Sequence, residues 1–347
     1  MIKWINFIKA IALIAVVIDH NFHILYENYL FLKLTFFSVT TFVFLSGYTS
    51  TISFKKHKSI NLINYLKKKF VTLIIPYFIS VFLVLFIVNH NFSFQNYINS
   101  IIYFNADGIY YFVFFFLQLT IISPILYLLI NNIELSKYKT SLNILLIVSI
   151  IVISICSLKY TNLLPLYGGG KYLFGGTYLI VYFMGMFISY YQIQKYSKSN
   201  LLVNTLVSFL FLCIWFYINY KGYFSFDIYL YLGEGINPPL IDLALYSILI
   251  IIFLKNFYYL FSSLNIRIIN KILNLFDVLG RYTFIIFLFH KIVMNRISFL
   301  TWSENKLILL FVYFPLIFII PIIGDKVINT LISGLRKLKL FKKVKNV

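Results

Sequence analysis

The chain has 347 residues, of which 61% are hydrophobic and 12% charged, with a mean hydropathy of +0.89. A soluble domain is about 45–50% apolar and about 25% charged, so this composition excludes an ordinary soluble globule. The net charge of +20 is spread over short segments between apolar runs and over a tail; no basic soluble domain gathers it, which excludes nucleic-acid binding and leaves membrane topology as its use.

The apolar runs are long and unbroken, as in helical spans, and lack the alternation of barrel strands. The fold class predicted is all-α, a polytopic membrane protein with about ten transmembrane helices. They are expected near 4–23, 34–54, 71–90, 109–130, 142–159, 174–191, 200–220, 239–256, 279–299 and 306–324. The aromatic-rich stretch 220–238 is a candidate to dip into the membrane. The membrane domain is expected over 1–324 and a basic tail over 325–347.

Basic residues set the direction. With the N-terminus cytoplasmic, the inner segments receive Lys3, the cluster from Lys55 to Lys69, Lys137, Lys139, Lys195, Lys198, Lys255, Arg267, Lys271, Arg281 and the tail. The outer loops receive only Lys33, Lys159, Lys171, Lys221, Arg296 and Lys306. Both termini are therefore expected in the cytoplasm, with the tail LRKLKLFKKVK resting on anionic lipid.

The first span, INFIKAIALIAVVIDHNFH, is apolar yet carries Lys9, Asp19, His20 and His23. It has a basic start but no small-x-small cleavage site, so it is expected to be retained as a span and not removed as a signal peptide. Lys9 and His20 are three turns apart on one helix face, about 16 Å along the axis. Ionisable groups at membrane depth are costly and point to function. A neutral imidazole suits a general base. Asp19 points about 100° away from His20, so it is expected to pair with His23 or to orient a histidine from another helix.

Later spans supply fewer signals. Ser46-Gly47-Tyr48 and Gly185 offer small surfaces for close helix approach. Pro76 is expected to kink the third span. His290 ends the run RYTFIIFLFH in the outer half of its span, beside Lys291. His57 is expected on the surface and His90 at the interface. Asp242 follows Pro238 and Pro239 as a helix cap. Cys156 and Cys213 read as small buried hydrophobes; two such residues build neither a metal site nor a disulfide framework.

Taken together, these residues resemble the acyltransferase-3 family of membrane acyltransferases. That family opens with a basic residue, usually Arg, then ten residues, then His; Lys9 and His20 have this spacing, with Lys in place of Arg. TTFVFLSGYTSTI is similar to the family's Phe-rich stretch ending in Ser-Gly-Tyr. Lys69 and Pro76-Tyr77 match its third span, although Thr72 stands where many relatives have a second Arg. YYFVFFFLQLTIISPIL, YLIVYFMGMFIS and LGRYTFIIFLFH resemble the later motifs in the same order.

The resemblance implies transfer of an acyl group, most often acetyl, from cytoplasmic acyl-CoA to a hydroxyl of a surface or exported glycan. It implies His20, Lys9 and Asp19 as the catalytic group, and Lys69, His290, Ser46, Tyr48 and Gln118 as donor- or acceptor-binding. Acetyl-CoA enters as donor substrate, with no bound cofactor and no metal. The partners implied are acyl-CoA, a glycan or lipid-linked sugar, membrane lipids, and a second copy of the chain or glycan-synthesis machinery in the bacterial cytoplasmic membrane. The competing function is a proton-coupled or lipid-linked-sugar transporter, which also needs intramembrane His, Asp and Lys; the sequence lacks the repeated halves and paired broken helices of such carriers.

Overall fold

The computed structural model describes residues 2–56, 62–159, 169–191, 200–220, 241–302 and 306–337. Its regular elements are helices, and one isolated bridge joins Phe22 to Tyr26. In chain order the main helices are α1 (Lys3–His20), α2 (Tyr29–Thr35), α3 (Phe37–Lys55), α4 (Leu62–Val88), α5 (Phe94–Tyr103), α6 (Tyr111–Glu134), α7 (Lys139–Lys159), α8 (Tyr178–Tyr191), α9 (Leu201–Tyr220), α10 (Ile241–Ser263), α11 (Arg267–Arg281), α12 (Thr283–Arg296) and α13 (Phe314–Lys337).

Among the described residues eight stretches are long and apolar enough to cross a membrane, or nine if the bent α11–α12 pair is counted as one span. That is one or two fewer than the ten expected; α1, which carries Lys3, Lys9 and Asp19, is not among them. The protein is a multi-pass helical membrane protein. The hub is α1, which packs against α3, α10, α11 and α12 and buries Trp4 through Ile8 and most of its length to Val17. Lipid is as apolar as a core side chain, so helices meet here through close packing more than through hydrophobic burial.

A close crossing joins α3 and α8. A Cβ on Gly47 would lie 2.0 Å from the Tyr182 carbonyl oxygen, and one on Gly185 would lie 2.1 Å from that of Phe44. The two glycines expected to admit close approach do so against each other's helix. Ser50 Oγ and Tyr182 Oη share a hydrogen bond of 2.8 Å across the same crossing, and Thr51 Oγ1 donates to the Met186 carbonyl at 3.2 Å.

Four expectations need correction. The ninth span is not one helix over 279–299, because α11 and α12 meet at 79°. The sequence of α11 explains the break: Arg267, Asn270, Lys271 and Asn274 are too polar for a bilayer interior, while Ile268, Ile272 and Leu275 stay exposed on its apolar side. A helix with one polar and one apolar face is of the kind that suits a membrane–water interface. At the third span, the irregularity expected at Pro76 takes the form of a π-turn over Phe70–Ile74, directly before the α-helical segment Ile75–Leu83. Pro76 is the second residue of that segment, and its missing N–H removes one ladder hydrogen bond within the continuous α4, directly after the π-turn. A second π-turn, Val84–Val88, ends α4. The eighth span runs on to Ser263, so Lys255 is buried inside α10 and not in a loop, with Nζ 5.0 Å from the centre of the Trp4 ring. Cys156 and Cys213 are exposed and not buried, on helix faces turned away from the bundle.

His57, the stretch after Tyr220 and the last ten residues of the tail lie outside the described residues, as does the side chain of Asp242. Helix α13 continues through the boundary expected at 325 as far as Lys337.

Candidate active site

A cavity of about 210 Å³ lies between α1, α3, α4, α6, α8, α11 and α12. Lys9 from α1, Lys69 from α4 and Arg281 from the end of α11 all line it. Ser46, Thr49 and Ser50 from α3, Thr120 from α6, Tyr182 from α8 and Thr283 from α12 add hydroxyls to its wall. Phe42, Phe112, Phe116, Phe284 and Phe287 supply the apolar remainder. Among the described residues neither Lys9 nor Lys69 forms an ion pair; Lys69 lies 5.6 Å from the centre of the Tyr65 ring. Three cations, of which Lys9 and Lys69 have no acidic partner, gathered beside hydroxyl donors make a site for an anion.

Arg281 is held from behind. Its guanidinium pairs with Asp277 one turn earlier on α11. Asn6 Nδ2 donates to the other Asp277 oxygen at 2.7 Å, which ties α11 to α1. The two helices touch there because Gly280 has no side chain, and a Cβ on it would lie 2.0 Å from the Asn6 carbonyl oxygen.

The histidines form a second cluster at the other end of α1. The rings of His20 and His290 stack with centroids 5.1 Å apart and planes 30° from parallel. His290 is fully buried, and its Nδ1 lies 2.7 Å from the Phe287 carbonyl oxygen. A carbonyl only accepts, so neutral His290 carries its proton on Nδ1 and leaves Nε2 as a lone pair. That Nε2 is buried with no hydrogen-bond partner among the described residues. Lys291 Nζ donates to Asp107 Oδ1 at 3.1 Å and is close enough to act electrostatically on both Asp19 and His20.

Phe287 joins the two clusters. Its side chain lines the cavity, its ring centroid is 5.8 Å from that of His290, and its carbonyl fixes the His290 tautomer. Phe112 packs on it at 4.6 Å. A wall of two rings therefore stands between the cationic cavity and the histidine pair.

The family model described as an acyltransferase domain, that of the acyltransferase-3 family, matches residues 2–325. The chain belongs to the acyltransferase-3 family. No curated protein and no solved structure matches it.

In this acyltransferase the structure brings Lys9, Lys69 and Ser46 to one cavity and His20 and His290 to one stacked pair. Asp19 does not pair with His23; its Oδ1 accepts a hydrogen bond from Thr35 Oγ1 at 3.3 Å, while His23 sits exposed in the turn after α1. Tyr48 lies against Trp4, with ring centroids 5.5 Å apart, and Gln118 donates to the Tyr172 carbonyl at 3.1 Å; neither lines the cavity. Arg281 was counted with the topology-setting cations, yet it completes the cationic set. The signal was present in the run LGRYTFIIFLFH, which carries a cation one residue after the glycine and nine before His290.

Proposed function

We propose that this acyltransferase moves an acyl group, acetyl in the simplest case, from acyl-CoA to a hydroxyl of a surface or exported polysaccharide or glycolipid in the bacterial cytoplasmic membrane. One observation carries the reading: Lys9, Lys69 and Arg281, from three separate helices, line a single cavity whose wall, Phe287, packs against the histidine pair. The cavity is smaller than a whole cofactor-sized ligand requires, so it takes an anionic group or an arm of the donor. With both termini cytoplasmic, as the basic residues predict, it faces the acyl-CoA pool and the histidines face the acceptor.

In this reading the cations and the Ser46 hydroxyl hold the donor phosphates, and the thioester arm passes Phe112 and Phe287 to reach His20. His20 takes the proton of the acceptor hydroxyl as the hydroxyl oxygen bonds to the thioester carbonyl carbon. The tetrahedral intermediate then expels the CoA sulfur: the carbon–sulfur bond breaks, the proton passes from His20 to the sulfur, and the products are the ester and free CoA. His290 offers Nε2 to accept a hydrogen bond from the acceptor hydroxyl or from the His20 ring. Asp19, on the same helix, favours the positive charge that His20 carries midway, as a positioning residue.

The test is incubation of the purified protein with labelled acetyl-CoA and a glycan acceptor. Acceptor-dependent release of free CoA with label in the glycan is the result expected. Solute uptake into proteoliposomes without CoA release would overturn the reading in favour of a carrier.

A further inference from the structure

A second concavity of about 340 Å³ opens at the histidine end of the bundle, between the final π-turn of α4 and α5. Asn89, Asn91, Asn96, Asn99, Asn105 and Ser100 line it, and no charged side chain does. We propose that this cleft binds an uncharged sugar unit of the acceptor, an assignment that rests on the acyltransferase reading above.

The chemistry of the lining selects the ligand. A carboxamide carries donors and an acceptor, which matches a hydroxyl that also donates and accepts. Five amides without a cation provide no counter-charge for a phosphate or a carboxylate. Several amides are set in place by one half of their hydrogen-bonding capacity. Asn96 Nδ2 donates to Asn91 Oδ1 at 3.2 Å, and Gln95 Nε2 donates to Asn99 Oδ1 at 3.2 Å. The Asn91 and Asn99 amino groups and Asn96 Oδ1 make no hydrogen bond among the described residues, and neither do the side chains of Asn89 and Asn105. Asn96 and Asn99 are three apart on α5 and so share a helix face.

Position links the cleft to the chemistry. Ala106 forms part of its lining, and the next residue, Asp107, holds Lys291 beside His290. On the opposite flank Arg296 of α12 bonds His90, which lies between Asn89 and Asn91 in the chain, so the helix that carries His290 is tied to the cleft twice.

The test uses the full chain in detergent without acyl donor. Maltotriose, cellotriose and chitotriose serve as neutral probes and trigalacturonate as the anionic one, with binding read by saturation-transfer NMR and titration calorimetry. Acetyl-CoA binding is measured in the same preparations. At least one neutral trisaccharide is expected to bind, and the Asn96→Leu/Asn99→Leu double variant to weaken it about tenfold or more, given roughly 1 kcal/mol per hydrogen bond lost, with acetyl-CoA binding unchanged. Asn105→Leu, outside any helix, is expected to weaken it several-fold without affecting folding. Binding of none of the neutral trisaccharides, preference for trigalacturonate, or neutral-sugar binding unaltered in both variants would overturn the proposal. Amide-dependent sugar binding without acetyl-CoA binding upholds the cleft and removes the acyltransferase reading. A polyprenyl-diphosphate-linked form of the bound sugar separates the acceptor's two sources: tighter binding of it indicates a lipid-linked acceptor and equal binding a free polymer, and both uphold the cleft.

Discussion

His20 and His290 stack ring on ring, with centroids 5.1 Å apart, although one ends the first helix and the other lies in the twelfth. Only one of the two has its tautomer fixed by a backbone carbonyl, so the pair is asymmetric. Replacing His20 by Ala is expected to lower acceptor-dependent CoA release about 100- to 10,000-fold, the usual contribution of a general base. His290→Ala is expected to cost less, since it removes a hydrogen-bond acceptor and not the base. Both variants should insert normally, checked by their abundance in the membrane fraction. If His290→Ala proves the more damaging of the two, the base is His290.

The cationic cavity predicts a different kinetic signature. Lys9→Met and Lys69→Met remove charge that the donor meets on binding, so each should raise the KM for acetyl-CoA about 10- to 100-fold with a smaller change in kcat, as expected for a charge-assisted contact. Lys9→Arg keeps the charge and presents its donors as a planar fork, so its KM should stay near that of the wild type. Steady-state kinetics at two salt concentrations check this, since the contribution of Lys9 and Lys69 should shrink as salt rises.

The α3–α8 crossing predicts a stability effect with no direct role in the site. A side chain at Gly47 or Gly185 would meet a backbone carbonyl about 2 Å away, and neither helix can move without carrying the cavity wall. Gly47→Leu and Gly185→Leu should each destabilise the fold by at least the roughly 1–3 kcal/mol of an overpacked core. A fall in Tm measured in detergent, together with reduced yield, is the expected readout.

Much of this architecture was legible from residues whose chemistry conflicts with their surroundings. Lys9, His20 and His290 announced themselves as ionisable groups in apolar runs, and Gly47 and Gly185 as gaps between large side chains. The bend between α11 and α12 was less visible, because hydropathy averaged over a span hides the polar face of an amphipathic helix ahead of LGRYTF. Arg281 was missed for a related reason: a cation near a membrane surface has the same sequence signature whether it anchors topology or lines a cavity. Asp277 and Asn6 were illegible, since they meet only when α1 and α11 cross at Gly280. Tyr48 and Gln118 lie in recognisable runs, yet which face of a helix looks into a cavity depends on its neighbours.

The Asp277–Arg281 pair carries a pH dependence of known sign. Burial pushes the Asp277 carboxyl up, but the hydrogen bonds from Asn6 and Arg281, the Arg281 charge and the more distant Lys3 outweigh it, so the carboxyl titrates below its ordinary value of 3.8. A group whose pKa is lowered by folding binds protons more readily when unfolded. Its stabilising contribution is therefore complete above the unfolded value and is lost as pH falls through the folded one. Arg281 is about half exposed, so solvent screens the pair and the effect should be modest. The Tm of wild type should exceed that of Asp277→Asn by a constant amount above about pH 5, and the gap should close as pH falls below about 4. A gap that widens on acidification would contradict the assignment. The same variant leaves Arg281 without its carboxylate partner at the cavity wall, so the KM for acetyl-CoA should rise at neutral pH while the His20-dependent step keeps its pH profile.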